Sequence, residues 1–281
     1  MTARFEVAFD EVARIAPATK GERISYAHQS PHQFGILRLP SRPGPHRVVA
    51  LLHGGCWLAE YDCAHVESMA AAICARGAAV WSIEYRRLGH DGGGWPGTFR
   101  DVALGLDHLR ALAPTRSLDL DRIVAVGHSA GGHLALWLSA RRKLVPSSDL
   151  FVADPLAVAG VVSLAGIADL RAFALGAGRC NGSVRPLLGG EGARVAERYP
   201  QASPLELVPL GVPLRIVHGA RDAIVPVAQS EGLASAERAR GGDVALDVLP
   251  RAGHFDLIAP FAEAWAKVER RVLELAGLGG D

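Results

Sequence analysis

The sequence lacks an excess of charge of either sign. Its 281 residues contain 30 Lys and Arg against 29 Asp and Glu, which leaves a formal net charge of +1. No basic cluster is larger than the triplet formed by Arg141, Arg142 and Lys143. Proteins that bind nucleic acids or acidic membrane surfaces usually carry long basic stretches or basic faces, so neither is expected as a partner.

Long apolar runs are absent as well. A membrane-spanning helix needs about 18 or more apolar residues without charge, and no stretch of this sequence approaches that length. Residues 1–17 carry acidic side chains where a signal peptide would need an uninterrupted apolar core. We therefore expect a cytoplasmic protein without a membrane partner.

Cysteine is scarce, with four residues at positions 56, 63, 74 and 180. None of them forms a CxxC pair, the local spacing that is typical of zinc sites and redox motifs. We expect neither a zinc site nor a disulfide framework, and we expect the thiols to stay reduced. The sequence also lacks a Walker A motif and an HExxH motif, so no cofactor and no metal ion are predicted.

What the sequence does contain is a regular alternation of strand-like and helical segments. Short apolar runs occupy residues 34–39, 47–52, 78–85, 122–128, 158–164, 214–218 and 244–249, and amphipathic segments separate most of them. This order predicts right-handed βαβ crossovers and an α/β fold whose mainly parallel sheet has helices on both faces. No linker divides the chain, so we expect one domain over residues 1–281. Within it, residues 1–33 form an N-terminal extension, and the long irregular stretch 166–204 is predicted to be a small cap or lid insertion.

Residues 122–137 suggest a catalytic site. A short apolar run stops at Gly127, a helical pattern begins at Ala130, and residues 127–131 between them read GHSAG. A serine in a GxSxG motif between a strand and a helix lies on a strained turn that exposes its hydroxyl. The sequence therefore predicts that Ser129 is a nucleophile.

Two later loops offer partners for this serine. In parallel sheets the site forms at the carboxyl ends of the strands, and Asp222 and His254 each follow a predicted strand in the chain order expected for such a triad. His254 would accept the proton of the Ser129 hydroxyl, so activity should fall on acidification, and Asp222 would orient the imidazole. Asp256 and Asp169 are competing acids, of which Asp256 better fits a helix cap.

The loop at residues 53–57, HGGCW, is predicted to complete the site. The backbone N–H groups of Gly55 and Cys56, together with that of Ala130, would form an oxyanion hole. A nucleophilic Cys56 thiol is a weaker alternative, because no histidine is evident to activate it. Trp57 would line the acyl pocket or pack under the loop, and His128 and His133 beside the nucleophile are interpreted as structural.

Several motifs together suggest a family. They are HGGCW at 53–57, EYRR at 84–87, WPGTFRDV at 95–102, GHSAGGHLA at 127–135, GARDAIVP at 219–226 and AGHFD at 252–256. From about residue 35 to 275 the chain resembles the α/β-hydrolase superfamily, and within it the esterase and kynurenine-formamidase-like branch, which shares HGGxW and GHSAGxH. The resemblance implies an α/β-hydrolase fold and the triad and oxyanion roles given above. Cys56 stands where lipase-type HGGG loops have a third glycine, which favours the formamidase-like type.

These observations lead to one expected function and two alternatives. The expected function is a cofactor-free serine hydrolase that cleaves a small carboxylic ester through an acyl-enzyme. One alternative is an arylformamidase acting on N-formylkynurenine. For either enzyme the expected partner is a small-molecule ester or amide. The other is an inactive hydrolase fold that binds a ligand or partner. The oligomeric state stays open, with a homodimer as one alternative.

Overall fold

The structure is a computed structural model that describes residues 6–279. Its central element is a single sheet of eight strands. The strands are β1 (Glu22–Ser25), β2 (Phe34–Arg38), β3 (His46–Leu52), β4 (Ala79–Ile83), β5 (Leu118–His128), β6 (Gly160–Leu164), β7 (Leu214–Gly219) and β8 (Val244–Leu249). Their order across the sheet is β1-β2-β4-β3-β5-β6-β7-β8. β2 is antiparallel to both of its neighbours, and every pair from β4 to β8 is parallel. The prediction of a mainly parallel sheet is confirmed.

Eleven helices are found among the described residues. They are α1 (Phe9–Ala13), α2 (Glu67–Ala75), α3 (Gly97–Asp107), α4 (Leu109–Arg116), α5 (Ala130–Ala140), α6 (Leu170–Phe173), α7 (Arg179–Gly182), α8 (Val184–Leu187), α9 (Ala193–Ala202), α10 (Ala228–Arg238) and α11 (Trp265–Ala276). Short 3₁₀ turns cover Cys63–Val66, Arg141–Lys143, Pro204–Leu207 and Phe255–Ile258. None of the helices in residues 6–279 combines the length and the apolar character needed to cross a bilayer.

The sheet separates two apolar cores, because successive side chains of a strand point to opposite faces. In β5, Ile123 and Ala125 belong to one core, and Val124 and Val126 belong to the other. Helices α3, α5 and α10 cover the first face, and α2 and α11 cover the second. Strands buried on both faces read as continuous apolar runs, which is why the sequence predicts them well.

The predicted N-terminal extension contains two elements of regular structure. Within residues 1–33, α1 buries Val12 in the second core, and β1 pairs with β2 at the edge of the sheet, with Glu22 opposite Leu37. Residues 1–5 of this segment lie outside the described residues. The described part of the extension is therefore packed against the sheet.

The predicted insertion at residues 166–204 consists of the helices α6 to α9. Its apolar side chains Val184, Leu187 and Tyr199 are buried in the first core, beside α3 and α5. The Nε2 atom of His133 on α5 lies 2.9 Å from the carbonyl oxygen of Ala202 on α9. The insertion is packed onto the domain, and its role as a lid stays a prediction.

Candidate active site

Ser129 occupies a sharp turn between β5 and α5. Its φ of 57° and ψ of −121° lie in a region that side chains rarely adopt, and such strain is typical of functional turns. The turn brings β5, α5 and β3 so close together that a Cβ on Gly127 would lie 2.1 Å from the carbonyl oxygen of Gly131. A Cβ on Gly131 would lie 2.2 Å from the carbonyl oxygen of Leu52. Glycine is therefore required at both positions for the serine to be presented in this way.

Asp222 and His254 lie at the same edge of the sheet as Ser129. They follow β7 and β8, whose last residues, Gly219 and Leu249, are register partners. The Nδ1 atom of His254 lies 2.6 Å from Oδ2 of Asp222, and the two side chains are 5% and 0% exposed. A histidine that donates from Nδ1 to a carboxylate keeps Nε2 free to accept a proton.

The Asp222 carboxylate is held in its ionised form by several donors. Its Oδ1 atom accepts the backbone N–H groups of Ile224 and Val225, each at 2.8 Å. Burial raises the pKa of Asp222, but hydrogen bonds from His218 and His254 and from the Val225 N–H outweigh burial and lower the pKa well below its ordinary value. The ionised form is the one that can stabilise a charged imidazole.

His218 is a contact of this carboxylate that sequence reasoning missed. It is fully buried, with Nε2 2.9 Å from the carbonyl oxygen of Val225 and 3.4 Å from Oδ2 of Asp222. Its Nδ1 atom lies 2.7 Å from the Ser230 hydroxyl. The available signal was a polar side chain that follows the apolar residues Ile216 and Val217 near the end of β7.

The two competing acids have other roles. Asp256 accepts the backbone N–H groups of Val7 and Gly253, both at 3.1 Å. Asp169 is the N-cap of α6 and accepts the Ala172 N–H at 3.0 Å. Within residues 6–279, neither carboxylate has a hydrogen bond to His254. Both therefore serve the backbone, as capping carboxylates do.

The loop of His254 is joined directly to the turn of Ser129. The Nε2 atom of His128 lies 3.0 Å from the carbonyl oxygen of His254, and the two rings are 4.4 Å apart. In the described part of the chain, the Ser129 hydroxyl has no hydrogen bond to the His254 ring. Catalytic hydrogen bonds are often long before substrate binds, so a direct proton transfer between these two groups belongs to the proposal below.

The HGG loop, residues 53–57, lies against the nucleophile. A Cβ on Gly54 would be 3.2 Å from Cβ of Ser129. Gly55, Cys56 and Trp57 all have positive φ, at 101°, 54° and 57°. Among the described residues, the backbone N–H groups of Gly55 and Cys56, like that of Ala130, have no hydrogen-bond acceptor. These three groups are thus available as donors to a ligand.

Trp57 packs in the interior of the protein. Its side chain is fully buried, and its ring packs edge-on against that of His133 with 5.2 Å between the centroids. The side chain therefore supports the loop from below.

One prediction about the cysteines is wrong. Cys56 and Cys180 form a disulfide with 4.9 Å between their Cα atoms, although 124 positions separate them in the sequence. Cys63 and Cys74 are free and buried. A search for CxxC pairs sees only neighbouring cysteines, whereas this pair forms because α7 is packed over the HGG loop. The bond also removes the Cys56 thiol as an alternative nucleophile.

A second contact joins α7 to the same region. Arg179, next to Cys180, forms an exposed ion pair with Glu60. The insertion is thus tied to the segment that follows the HGG loop.

The disulfide bears on the location of the protein. Disulfides are unusual in the cytoplasm, so the bond between Cys56 and Cys180 weighs against the cytoplasmic location, which stays a prediction. In residues 6–279, no group of three or more His, Cys, Asp and Glu side chains is arranged to hold a metal ion.

Comparison with known proteins relates this chain to esterases. The BD-FAE family model matches residues 36–236. The chain is 29% identical over 253 residues to Esterase LipC of Mycobacterium tuberculosis, a match covering 84% of this chain and 60% of that protein. The chain thus spans about 60% of the length of this curated relative.

Solved structures share the fold. An inhibited esterase B from Lactobacillus rhamnosis superimposes with a TM-score of 0.80 and 20% identity, over 95% of this chain and 90% of that one. Thermogutta terrifontis esterase 2 phosphorylated by paraoxon superimposes with a TM-score of 0.73 and 20% identity, over 92% and 95% of the two chains. The predicted α/β-hydrolase fold is confirmed, and the kynurenine-formamidase-like branch stays a prediction. With more than half of its length matched by the family model, the chain belongs to the BD-FAE family of α/β-hydrolase-type esterases.

Proposed function

We propose that this protein is a serine hydrolase that cleaves small carboxylic esters through an acyl-enzyme intermediate. The observation that carries the proposal is the 2.6 Å contact between His254 and Asp222 at the sheet edge where Ser129 occupies its strained turn. A nucleophile, a base and an acid that orients the base are the three groups that acyl transfer needs.

In the acylation step, the Ser129 hydroxyl oxygen bonds to the ester carbonyl carbon while its proton passes to Nε2 of His254. The carbonyl π electrons move onto oxygen and form an oxyanion. When the tetrahedral intermediate collapses, the bond to the alkoxy group breaks, and His254 returns the proton to the leaving alcohol. Asp222 holds the ring and stabilises its charged form throughout.

Water completes the cycle by the same route. His254 removes a proton from the water molecule as its oxygen attacks the acyl-enzyme carbonyl, and the bond to Ser129 then breaks with return of that proton. The product is a carboxylic acid, and the serine is regenerated. The N–H groups of Gly55, Cys56 and Ala130 are the proposed donors to the oxyanion in both halves.

The arylformamidase alternative uses the same steps with an amine as leaving group. Its only support is the match of HGGCW and GHSAGGH to the motifs of that branch. The alternative of an inactive binding protein requires a defect in the catalytic residues, and Ser129, Asp222 and His254 are all present. Small-ester hydrolysis is therefore the function that we propose.

A substrate panel tests the proposal. Turnover of nitrophenyl acetate, butyrate and octanoate is compared with turnover of N-formylkynurenine, using Ser129→Ala as the matched control. We expect measurable ester turnover that the substitution abolishes while the far-UV circular dichroism spectrum stays unchanged. A formamide rate that exceeds every ester rate would favour the arylformamidase, and no turnover of either class would favour the binding protein.

A further inference from the structure

A buried histidine–glutamate pair lies directly behind the HGG loop. β3 and β4 pair in parallel with Leu52 opposite Ile83, and His53 and Glu84 directly follow the ends of the two strands. Their side chains are 0% and 1% exposed, and Nε2 of His53 lies 3.0 Å from Oε1 of Glu84. Burying a carboxylate is costly unless charges and hydrogen bonds stabilise it. The surroundings of this pair show what stabilises it.

Every oxygen of the Glu84 carboxylate has partners. Oε2 accepts the backbone N–H of Cys63 at 2.9 Å, and Oε1 accepts that of Tyr85 at 2.8 Å. Arg87 adds an ion pair at 3.3 Å. Burial raises the pKa of Glu84, but the charges of His53 and Arg87 and these hydrogen bonds outweigh it and lower the pKa to about 2. The carboxylate is therefore ionised and can only accept hydrogen bonds.

The His53 ring faces an oxygen atom on each side. Its Nδ1 atom lies 2.8 Å from the carbonyl oxygen of Gly54, and its Nε2 atom faces Glu84. Both oxygens can only accept, so each contact is a hydrogen bond in which the facing ring nitrogen donates. The Tyr85 ring stacks on it with 4.4 Å between the centroids, and the Tyr85 hydroxyl donates to the carbonyl oxygen of His53 at 2.8 Å. The ring is thus held from three directions.

The carbonyl that His53 contacts belongs to the same peptide unit as the N–H of Gly55. This peptide is trans, so its C=O and N–H point in opposite directions. A donor that fixes the Gly54 carbonyl therefore also fixes the direction of the Gly55 N–H. A hydrogen bond to the carbonyl also polarises the peptide and strengthens its N–H as a donor.

We propose that Glu84 is a positioning residue for the oxyanion hole, acting through the His53 ring on the peptide that links Gly54 and Gly55. The inference rests on the proposed function, because it requires an oxyanion to form beside this loop. Glu84 touches no reacting atom. Its carboxylate orients the His53 ring through Nε2, and the ring in turn holds the Gly54 carbonyl and with it the Gly55 N–H. An interaction with the oxyanion exists only in the tetrahedral transition state, so the effect should be on kcat rather than on KM.

The first test is Glu84→Gln, which keeps the shape of the side chain and removes its charge. We expect kcat for a nitrophenyl ester to fall about 10- to 100-fold, with KM changed by less than about threefold. The matched control is Glu67→Gln on α2. This substitution also breaks a buried ion pair, because Glu67 lies 2.6 Å from Arg38. The control should lower the thermal midpoint and leave kcat unchanged. An unchanged kcat in Glu84→Gln, or an equal loss of kcat in the control, overturns the proposal.

A second measurement separates positioning from general destabilisation. A trifluoromethyl ketone forms a tetrahedral adduct with an oxyanion on the serine, whereas the product carboxylic acid binds without one. Glu84→Gln should weaken the ketone by about the same factor as kcat and leave binding of the acid unchanged. Equal weakening of both ligands overturns the proposal.

A third measurement asks whether Glu84 acts through His53. If it does, the loss of kcat in the double variant His53→Gln/Glu84→Gln equals that in His53→Gln alone, whereas independent effects would multiply. Multiplying effects overturn the proposal. Should Glu84→Gln not fold, Glu84→Asp replaces it in all three measurements, with a smaller expected loss of kcat, and an unchanged kcat overturns the proposal there too.

Failure of the proposed function is distinguishable from failure of this inference. Wild-type protein without Ser129-dependent ester turnover contradicts the hydrolase assignment. Wild-type turnover that Glu84→Gln leaves intact contradicts only the positioning role.

Discussion

The Nδ1 atom of His254 lies 2.6 Å from Oδ2 of Asp222, although the two residues come from different loops at the end of β7 and β8. An amide in place of this carboxylate would present a donor or a weaker acceptor and favour the wrong tautomer of His254. We expect Asp222→Asn to lower kcat by about 10³- to 10⁴-fold with little loss of stability. Steady-state kinetics with a nitrophenyl ester measure this.

The control for this prediction is Asp169→Asn. Asp169 caps α6 through a hydrogen bond to the Ala172 N–H, and asparagine is about as good an N-cap as aspartate. Its kcat should therefore match that of the wild type. A larger loss in Asp169→Asn than in Asp222→Asn would exclude Asp222 as the acid partner.

The glycines of the serine turn allow a second prediction. Gly131→Ala would place a methyl group 2.2 Å from the carbonyl oxygen of Leu52, so α5 must move away from β3. We expect a loss of unfolding free energy of about 1–3 kcal/mol and a fall in activity. Gly232→Ala in α10, where nothing lies within 4 Å, should instead stabilise the protein by about 0.5–1 kcal/mol. Urea denaturation of both variants checks the opposite signs, and equal signs would contradict the packing described for α5.

The disulfide supplies a third prediction. Cys56 and Cys180 close a loop of 124 positions, and a cross-link of this span restricts the unfolded chain strongly. Cys180→Ser should lower the unfolding free energy by about 2–4 kcal/mol and lower esterase activity, because the HGG loop loses its tether to α7. Non-reducing peptide mapping, thermal denaturation and ester turnover are measured together. A reductant should lower the activity of the wild type, because it breaks this bond. Cys74→Ser, which replaces a free buried cysteine, is the control and should lose activity on reduction as the wild type does. Cys180→Ser has no such bond, so a reductant should not lower its activity further. An equal loss of activity on reduction in the wild type and in Cys180→Ser would contradict a role of the disulfide.

Two buried histidines predict how stability depends on pH. Burial lowers the pKa of His65 to about 3 and that of His133 to about 4. Because these values lie below the ordinary histidine value of 6.5, the unfolded state takes up protons first as the pH falls. Stability is therefore fully present above about pH 6.5 and is lost progressively toward pH 4 and below.

His133→Gln tests this dependence, because glutamine can still donate to the carbonyl oxygen of Ala202. Between pH 7 and pH 4 the wild type should lose about 1–3 kcal/mol more unfolding free energy than the variant does. The exposed His28→Gln is the control for the removal of a histidine as such. Parallel pH profiles for His133→Gln and the wild type would show that His133 is not the group responsible.

Much of the fold was predictable because it depends on local patterns. β3, β4, β6 and the second half of β5 are mainly apolar runs, and the turn at Ser129 has a motif of its own. The proximity of Asp222 and His254 follows from a general rule, since the carboxyl ends of neighbouring parallel strands meet at one edge.

The contacts that were missed all depend on long-range packing. Cys56 and Cys180 meet only because α7 is placed over the HGG loop, and no spacing in the sequence reveals that position. His218 contacts Asp222 from the end of β7, and no sequence motif surrounds this histidine. The pair of His53 and Glu84 depends on the order of β3 and β4 in the sheet, which alternation alone does not determine. Tertiary structure is needed to place such contacts.

The most direct test of the central claim is labelling with a fluorophosphonate, followed by peptide mapping by mass spectrometry. Ser129 should react, because in the proposed mechanism His254 activates its hydroxyl and the backbone donors of the HGG loop stabilise the adduct. We predict a single adduct on Ser129 whose formation parallels the loss of ester turnover, and no adduct in Ser129→Ala. An adduct on another residue, or full ester turnover after Ser129 has been labelled completely, would contradict the assignment of Ser129 as the nucleophile.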